Sequence, residues 1–195
     1  LPLDLAAFMR PPHKLCPFLH VPIQSGCDRT LSRMGRPYTT GAFLQMIGNV
    51  VSSVPGIMIG TDVIVGFPGE TEADFEETRV FLQEAPVHFF HVFRYSKRLK
   101  ARSRSFEEEV PSGEILRRSR ILRDLGGQKQ AAFLAGLAGS TQRALFEQKK
   151  NQYWIGRLAN YVTIKTRSGR NLRNTLVDVR VDAVEDGCLR GTLVA

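Results

Sequence analysis

Gly56-Ile57-Met58-Ile59-Gly60-Thr61-Asp62-Val63-Ile64-Val65-Gly66-Phe67-Pro68-Gly69-Glu70-Thr71 is the stretch on which the fold turns. From Ile57 to Val65 small and β-branched residues alternate, the pattern of a strand buried on both faces, as parallel sheets require. Gly66-Phe67-Pro68-Gly69 turns the chain. Thr71 and Asp74 then form a T-x-x-D capping sequence, and the helix it opens is expected to bury Phe75, Val80, Phe81 and Leu82. Strand, tight turn and helix in that order make one unit of a parallel α/β fold.

The same order recurs on either side. Upstream, Phe18-Leu19-His20-Val21-Pro22-Ile23 is a short apolar run ending in the turn-rich Gln24-Ser25-Gly26, followed by a helical pattern with Leu31 and Met34 on one face. Thr39-Thr40 reads as the N-cap of a second helix, in which Phe43, Met46, Ile47, Val50 and Val51 fall at 3/4 spacing. Downstream, Pro86 precedes the run His88-Phe89-Phe90-His91-Val92-Phe93. Three strand–helix units predict parallel strands with crossover helices. A complete eight-stranded barrel takes about 250 residues, so only about half of one fits. Half a barrel leaves an unpaired edge and an open core, and the chain is expected to be a piece of something longer. Its opening, LPLDLAAFMR, lacks an initiator Met and a signal-peptide pattern.

A helix is expected from Ser112 to about Leu137, interrupted at Gly126-Gly127, and Gly139-Ser140 marks a boundary. From Thr141 the period changes to two. Runs 143–147, 153–158, 161–166, 176–184 and 188–194 read as five short strands, and Asp186-Gly187 is a hairpin signal. The fold class is therefore α/β: a half parallel β/α barrel with trailing helix over 1–138, then a small five-stranded antiparallel OB-like barrel over 139–195.

Composition narrows the function classes. With 43% hydrophobic and 24% charged residues the 195-residue chain is ordinary globular material, and no apolar run approaches the ~18 residues of a bilayer span. The net charge of +8 is uneven. Residues 1–93 hold 6 Lys/Arg against 9 Asp/Glu, residues 94–138 hold 11 against 5, and residues 139–195 hold 10 against 5. The positive excess of the second half points to a polyanion partner. Cys16, Cys27 and Cys188 are too few and scattered for a disulfide framework or a three-cysteine cluster cradle, and a cytoplasmic location is the expectation.

Ligands of parallel barrels bind at the C-terminal rim of the strands. Three strand ends carry polar groups there: His20 to Asp28, Asp62 to Thr71, and His91 to Arg98. Each residue also has a plain structural reading: His20 as a core histidine, Asp28 as a helix N-cap, Gly26 as a turn residue, Thr71 as a cap. In the terminal barrel Lys149, Lys150, Arg157, Lys165, Arg167, Arg170 and Arg173 are interleaved with Tyr153, Trp154 and Tyr161. Cations grip phosphate and exposed aromatics stack on unpaired bases. Trp154 and one of the tyrosines read rather as ordinary barrel core.

In this order and spacing, H-V-P-I-Q-S-G-C-D, T-D-V-I-V-G-F-P-G-E-T and H-V-F-R-Y-S-K-R resemble the catalytic barrel of the radical S-adenosylmethionine methylthiotransferases. The terminal barrel resembles the RNA-binding TRAM domain of that family. The resemblance spans essentially the whole chain. His91-Val92-Phe93, Arg118-Ser119 and His20 look most like the branch that adds a methylthio group to C2 of N6-threonylcarbamoyladenosine beside the tRNA anticodon. Alternatives are the isopentenyladenosine branch, the branch modifying a ribosomal protein, and an RNA-binding module that lost its chemistry. The sequence departs from the family at Cys27, where Ser is usual, and in the loop Lys97-Arg98-Leu99-Lys100-Ala101-Arg102-Ser103, which lacks the usual Pro, Gly and Thr. Cys27 reads as a small buried substitution, with a hydrogen-atom donor or a stray ligand as the alternatives.

The resemblance implies a transferase using S-adenosylmethionine and two 4Fe-4S clusters, with tRNA as substrate, an electron donor and no membrane. One cluster cleaves S-adenosylmethionine to a 5′-deoxyadenosyl radical and the second carries the inserted sulfur. The cluster cysteines would lie before residue 1, so the chain alone is expected to be inactive. His20, Gln24, Asp62, Ile64, Val65, Gly66 and Arg98 are implied for the cofactor, with Glu70 a weaker candidate. Arg94 and Tyr95 are implied for RNA, with Lys149, Lys150, Arg157, Tyr161, Lys165, Arg167, Arg170 and Arg173 of the barrel.

Overall fold

A computed structural model describes residues 9, 15–97 and 102–194, apart from the side chains of Arg102 and Arg104. The described residues divide into two compact units, one within 19–53 and 59–129, the other made of the described residues up to 18, 54–58 and those from 130 to 194.

The first unit is built on a three-stranded sheet in the order β1 (Phe18–His20), β2 (Met58–Val65), β3 (Phe89–Arg94). The β2–β3 pair is parallel, with Asp62 beside His91 and Ile64 beside Phe93. Beyond β1, Gln24 continues the parallel ladder: its N–H donates to Asp62 O and its carbonyl accepts from Ile64 N, both at 2.8 Å. The helices are α1 (Asp28–Arg33), α2 (Thr40–Ser53), α3 (Glu72–Glu84) and α4 (Ser112–Ala135). Alternation along β2 sends Val63 and Val65 into the core, while Asp62 and Ile64 reach the sheet's opposite, half-open face.

Helix entries follow local chemistry. Thr71 caps α3 with both halves of a capping box: its hydroxyl accepts from Asp74 N–H, and Asp74 accepts from Thr71 N–H. Thr39 Oγ1 accepts from Ala42 N at the start of α2. Asp28 is the first residue of α1 and not its cap; its carboxylate accepts from Thr40 N instead, holding the entry of α2. Phe75, Thr78 and Leu82 form the buried stripe of α3. Val80, expected inside, is 38% exposed because the i, i+3, i+7 stripe leaves it on the outer face. The long helix α4 is unbroken at Gly126-Gly127. Gly126 lies where a Cβ would come within 3.2 Å of the Phe90 ring, so close packing explains the glycine.

The second unit contains a closed barrel of β4 (Thr141–Lys150), β5 (Tyr153–Leu158), β6 (Thr163–Thr166), β7 (Thr175–Glu185) and β8 (Cys188–Leu193), in the order β4-β5-β6-β8-β7. Five strands were expected and five form. The expectation of an all-antiparallel barrel fails at one seam: β6 and β8 pair in parallel, Ile164 beside Leu189. Closing the sheet places β6 beside β8 with β7 outside them, so the two neighbours run the same way. Inward side chains include Ala144, Phe146, Leu158, Ile164, Val179, Val181 and Leu189. Among the described residues no helix is long and apolar enough to cross a membrane.

Candidate functional site

The strand ends of the first unit converge on a hollow of about 580 Å³, within the size range of small-molecule sites. Gln24, Asp62, Ile64, Arg94 and Tyr95 line it, joined by Arg33, Arg36, Phe67, Phe93 and Phe106. Gln24 gets there through an unusual backbone: its φ of 77° is in the left-handed region, which a non-glycine side chain occupies only when its surroundings fix it. The two ladder bonds to Asp62 and Ile64 do so. Tyr95 is set by its N–H on Val65 O and its hydroxyl on Ser103 Oγ, 2.9 Å each. Its ring meets Phe67 edge-on at 5.3 Å, and Phe67 meets Phe106 at 6.1 Å, giving an aromatic wall.

Cations flank the hollow. Arg33 pairs with Glu108, bonds Pro68 O and lies over Phe106. Arg36 and Arg94 line it without an ion pair among the described residues.

Other implied residues stand apart from this wall. Val65 is fully buried on the other face of β2, where the strand's alternation puts it. Gly66 adopts φ 77°, and a Cβ there would fall 2.4 Å from Ile115, so the turn and the packing of α4 account for the glycine. Its N–H donates to Glu70 at 2.7 Å, and Arg118 also holds that buried carboxylate, at 2.9 Å. Glu70 therefore organises the turn; burial raises its carboxyl above the ordinary value despite these donors. His20 is not among the residues lining the hollow; it bonds Asp62, Nε2 to Oδ1 2.9 Å. Arg98 lies outside the described residues, as do Leu99, Lys100 and Ala101 of its loop.

The cysteines do not converge. Cys16 is exposed, Cys188 lies against Glu185 O, and Cys27 is buried with its thiol on Asp74 Oδ1. Burial pushes the Cys27 thiol up to about 11, so it is a protonated packing residue at neutral pH. The described cysteines do not fit an iron–sulfur cluster.

On the barrel, Lys149, Lys150, Arg157, Tyr161, Arg167, Arg170 and Arg173 are exposed. Lys149 and Arg173 share a cleft of about 510 Å³ with Glu147, Gln148, Trp154 and Asn171. Arg167 lies 4.8 Å over the Tyr153 ring beside a second cleft of about 310 Å³. Arg157 donates to Tyr161 O, and the Tyr161 ring lies 5.0 Å from Phe18. Lys165 differs: its half-buried ammonium pairs with Glu185 at 3.3 Å and Asp186 at 3.7 Å, which offsets its charge. Trp154, at 7% exposure, is barrel core. The sequence reading missed the backbone of Gln24 and the lining roles of Arg36 and Phe106. Arg-Met-Gly-Arg between two short helices was the available signal for Arg36.

Residues 3–82 match the Radical SAM superfamily model. The chain is 32% identical to a tRNA-2-methylthio-N(6)-dimethylallyladenosine synthase of Cronobacter sakazakii, over 98% of its own length and 41% of that protein. It is 34% identical to the Bordetella pertussis protein of the same name, over 95% of the chain and 42% of the relative. The Endomicrobium trichonymphae protein of that name is 32% identical over 87% of the chain and 38% of the relative. These relatives carry the dimethylallyl name, not that of the threonylcarbamoyl branch to which His20 and His91-Val92-Phe93 pointed. The chain spans about two fifths of the curated relatives it matches. Its residues 3–82 are thus similar to the Radical SAM superfamily, and nearly its whole length is similar to part of proteins named tRNA-2-methylthio-N(6)-dimethylallyladenosine synthase.

Proposed function

We propose that this chain is the part of a tRNA methylthiotransferase that supplies the outer cofactor wall and a grip on tRNA. The observation that carries the reading is the convergence of Gln24, Asp62, Ile64 and Tyr95 from three strand ends on one hollow. Those groups suit S-adenosylmethionine: amide, carboxylate and phenol for its polar parts, and Ile64 with the aromatic wall for its adenine. When bound together with its cluster, that cofactor supplies the one-electron chemistry. This chain's residues bind, orient and shield it. The clusters would be held by residues outside the described ones.

The modified base in this reading is an N6-dimethylallyl adenosine beside the anticodon, as the relatives' names support. A threonylcarbamoyl adenosine is the second reading, favoured by Arg36 and Arg94, which line the hollow with no ion pair among the described residues: guanidiniums suit a carboxylate. The TRAM-like role of the barrel, domain limits at 138/139 and a cytoplasmic location belong to the same proposal.

Mass spectrometry of tRNA nucleosides from a strain lacking the gene tests it. Loss of the 2-methylthio form of dimethylallyladenosine is expected; loss of the threonylcarbamoyl counterpart alone selects the second reading, and an unchanged profile rejects both. In the longest natural protein that carries this chain, Gln24→Ala is expected to weaken S-adenosylmethionine binding at least about tenfold, or 1.4 kcal/mol, with tRNA affinity unchanged. Equal affinities by calorimetry would remove Gln24 from the pocket.

A further inference from the structure

We propose that His20, Asp62 and His91 form a site for one divalent first-row transition-metal ion of the zinc type. The three residues come from three adjacent strands. Asp62 and His91 are direct register partners, and His20 ends β1 on the other side of β2. His20 Nε2 lies 2.9 Å and His91 Nδ1 3.1 Å from the same carboxylate oxygen, Asp62 Oδ1. One ligand atom from each residue falls within 4.8 Å of the other two. Bonds of 2.0–2.2 Å to a tetrahedral ion separate neighbouring ligand atoms by about 3.3 Å. Seating one therefore needs each imidazole to draw back from Asp62 Oδ1 by a few tenths of an ångström, and the two ring nitrogens, which lie within 4.8 Å of each other, to close on the ion by rotation of the rings.

The surroundings shape the cluster. A Cβ at Gly60 would fall 2.9 Å from His20 Nδ1 and 2.2 Å from the Phe89 ring, so glycine is what admits both rings over the strand. Phe89 packs against His20 at 5.9 Å and against His91 at 5.6 Å, walling the imidazoles on one side. On the other side the site is open: the His91 side chain is 60% exposed, leaving room for water to complete the coordination. Two imidazoles and one carboxylate are the donor set that zinc and its neighbours accept, whereas magnesium and calcium prefer oxygen alone. Without the ion, both rings bond the same oxygen. With it, each ring turns a lone pair to the metal and keeps its proton on the other nitrogen.

The inference goes beyond the proposed function and does not depend on it, since it concerns this chain's own side chains and is read without tRNA or S-adenosylmethionine. Chelator-stripped chain is titrated with Co(II), whose visible absorption reports coordination, and then with Zn(II) in competition. One Co(II) per chain is expected, displaced by Zn(II). Asp62→Asn, His20→Gln and His91→Gln should each weaken binding at least about tenfold, with far-UV circular dichroism confirming the fold. The exposure of His91 makes its variant the secure one if the others lose structure. Absence of binding at millimolar Co(II), or binding unaltered by His91→Gln in a folded chain, overturns the site.

Discussion

Asp74 shows how much one side chain does at the start of α3. Its carboxylate takes a bidentate contact from Arg29, accepts from the Thr71 N–H and hydroxyl, and receives the Cys27 thiol. Arg29 above all, with the Thr71 bonds, holds the carboxyl well below the usual carboxylate range. The folded-state pKa is depressed, so the stability this group contributes is complete above its unfolded value near 4 and is lost as pH falls below that. Asp74→Asn should therefore flatten the fall in urea midpoint between about pH 4 and pH 2, and an acid limb as steep as wild type would show the stabilisation lies elsewhere. Thr71→Ala removes one half of the capping box and should cost about 1 kcal/mol in urea unfolding at pH 7. The capping box was legible in the sequence because T-x-x-D after a turn is a local pattern. The Arg29 and Cys27 contacts to Asp74 were not, since they join residues more than forty positions apart.

At the level of elements the sequence reading fails where periodicity is silent about neighbours. Gly126-Gly127 looks like a break because glycine lowers helix propensity, yet α4 runs through it, held by the burial of Leu122 and by Phe90 against Gly126. The two glycines should then respond oppositely to substitution. A Cβ at Gly127 meets nothing within 4 Å, so Gly127→Ala should stabilise by about 0.5–1 kcal/mol through helix propensity alone. Gly126→Ala, pressed on Phe90, should lose that gain. Thermal midpoints of the two variants decide it, and equal shifts would remove the packing explanation. The parallel β6–β8 seam has the same origin: alternation marks each strand, but which strands meet on closure is decided by packing across the barrel. Gln24 is the corresponding case in the hollow. Its residue type placed it at a strand end, while its left-handed backbone follows from ladder bonds to β2 that no local pattern encodes.

Across the whole molecule, charge and hydrophobic period were the readable signals, and both describe the two halves of the sequence well. The first 93 residues carry more acid than base, and their polar strand ends meet at one hollow. The positive excess lies after residue 93, and within the barrel it is concentrated in groups of unequal availability. Lys165 is offset by Glu185 and Asp186, whereas Lys149 and Lys150 stand exposed at the end of β4 beside the cleft shared with Arg173. Under the proposed tRNA grip, these two lysines release counterions on binding and Lys165 releases few. Lys149→Gln with Lys150→Gln should weaken tRNA binding and lower the slope of log K against log salt by about 1.4–1.8, the sum for two phosphate contacts. Lys165→Gln should move that slope by less than half as much. Filter-binding titrations across a salt series separate the cases: a double variant with the wild-type slope would place the RNA contacts away from the end of β4.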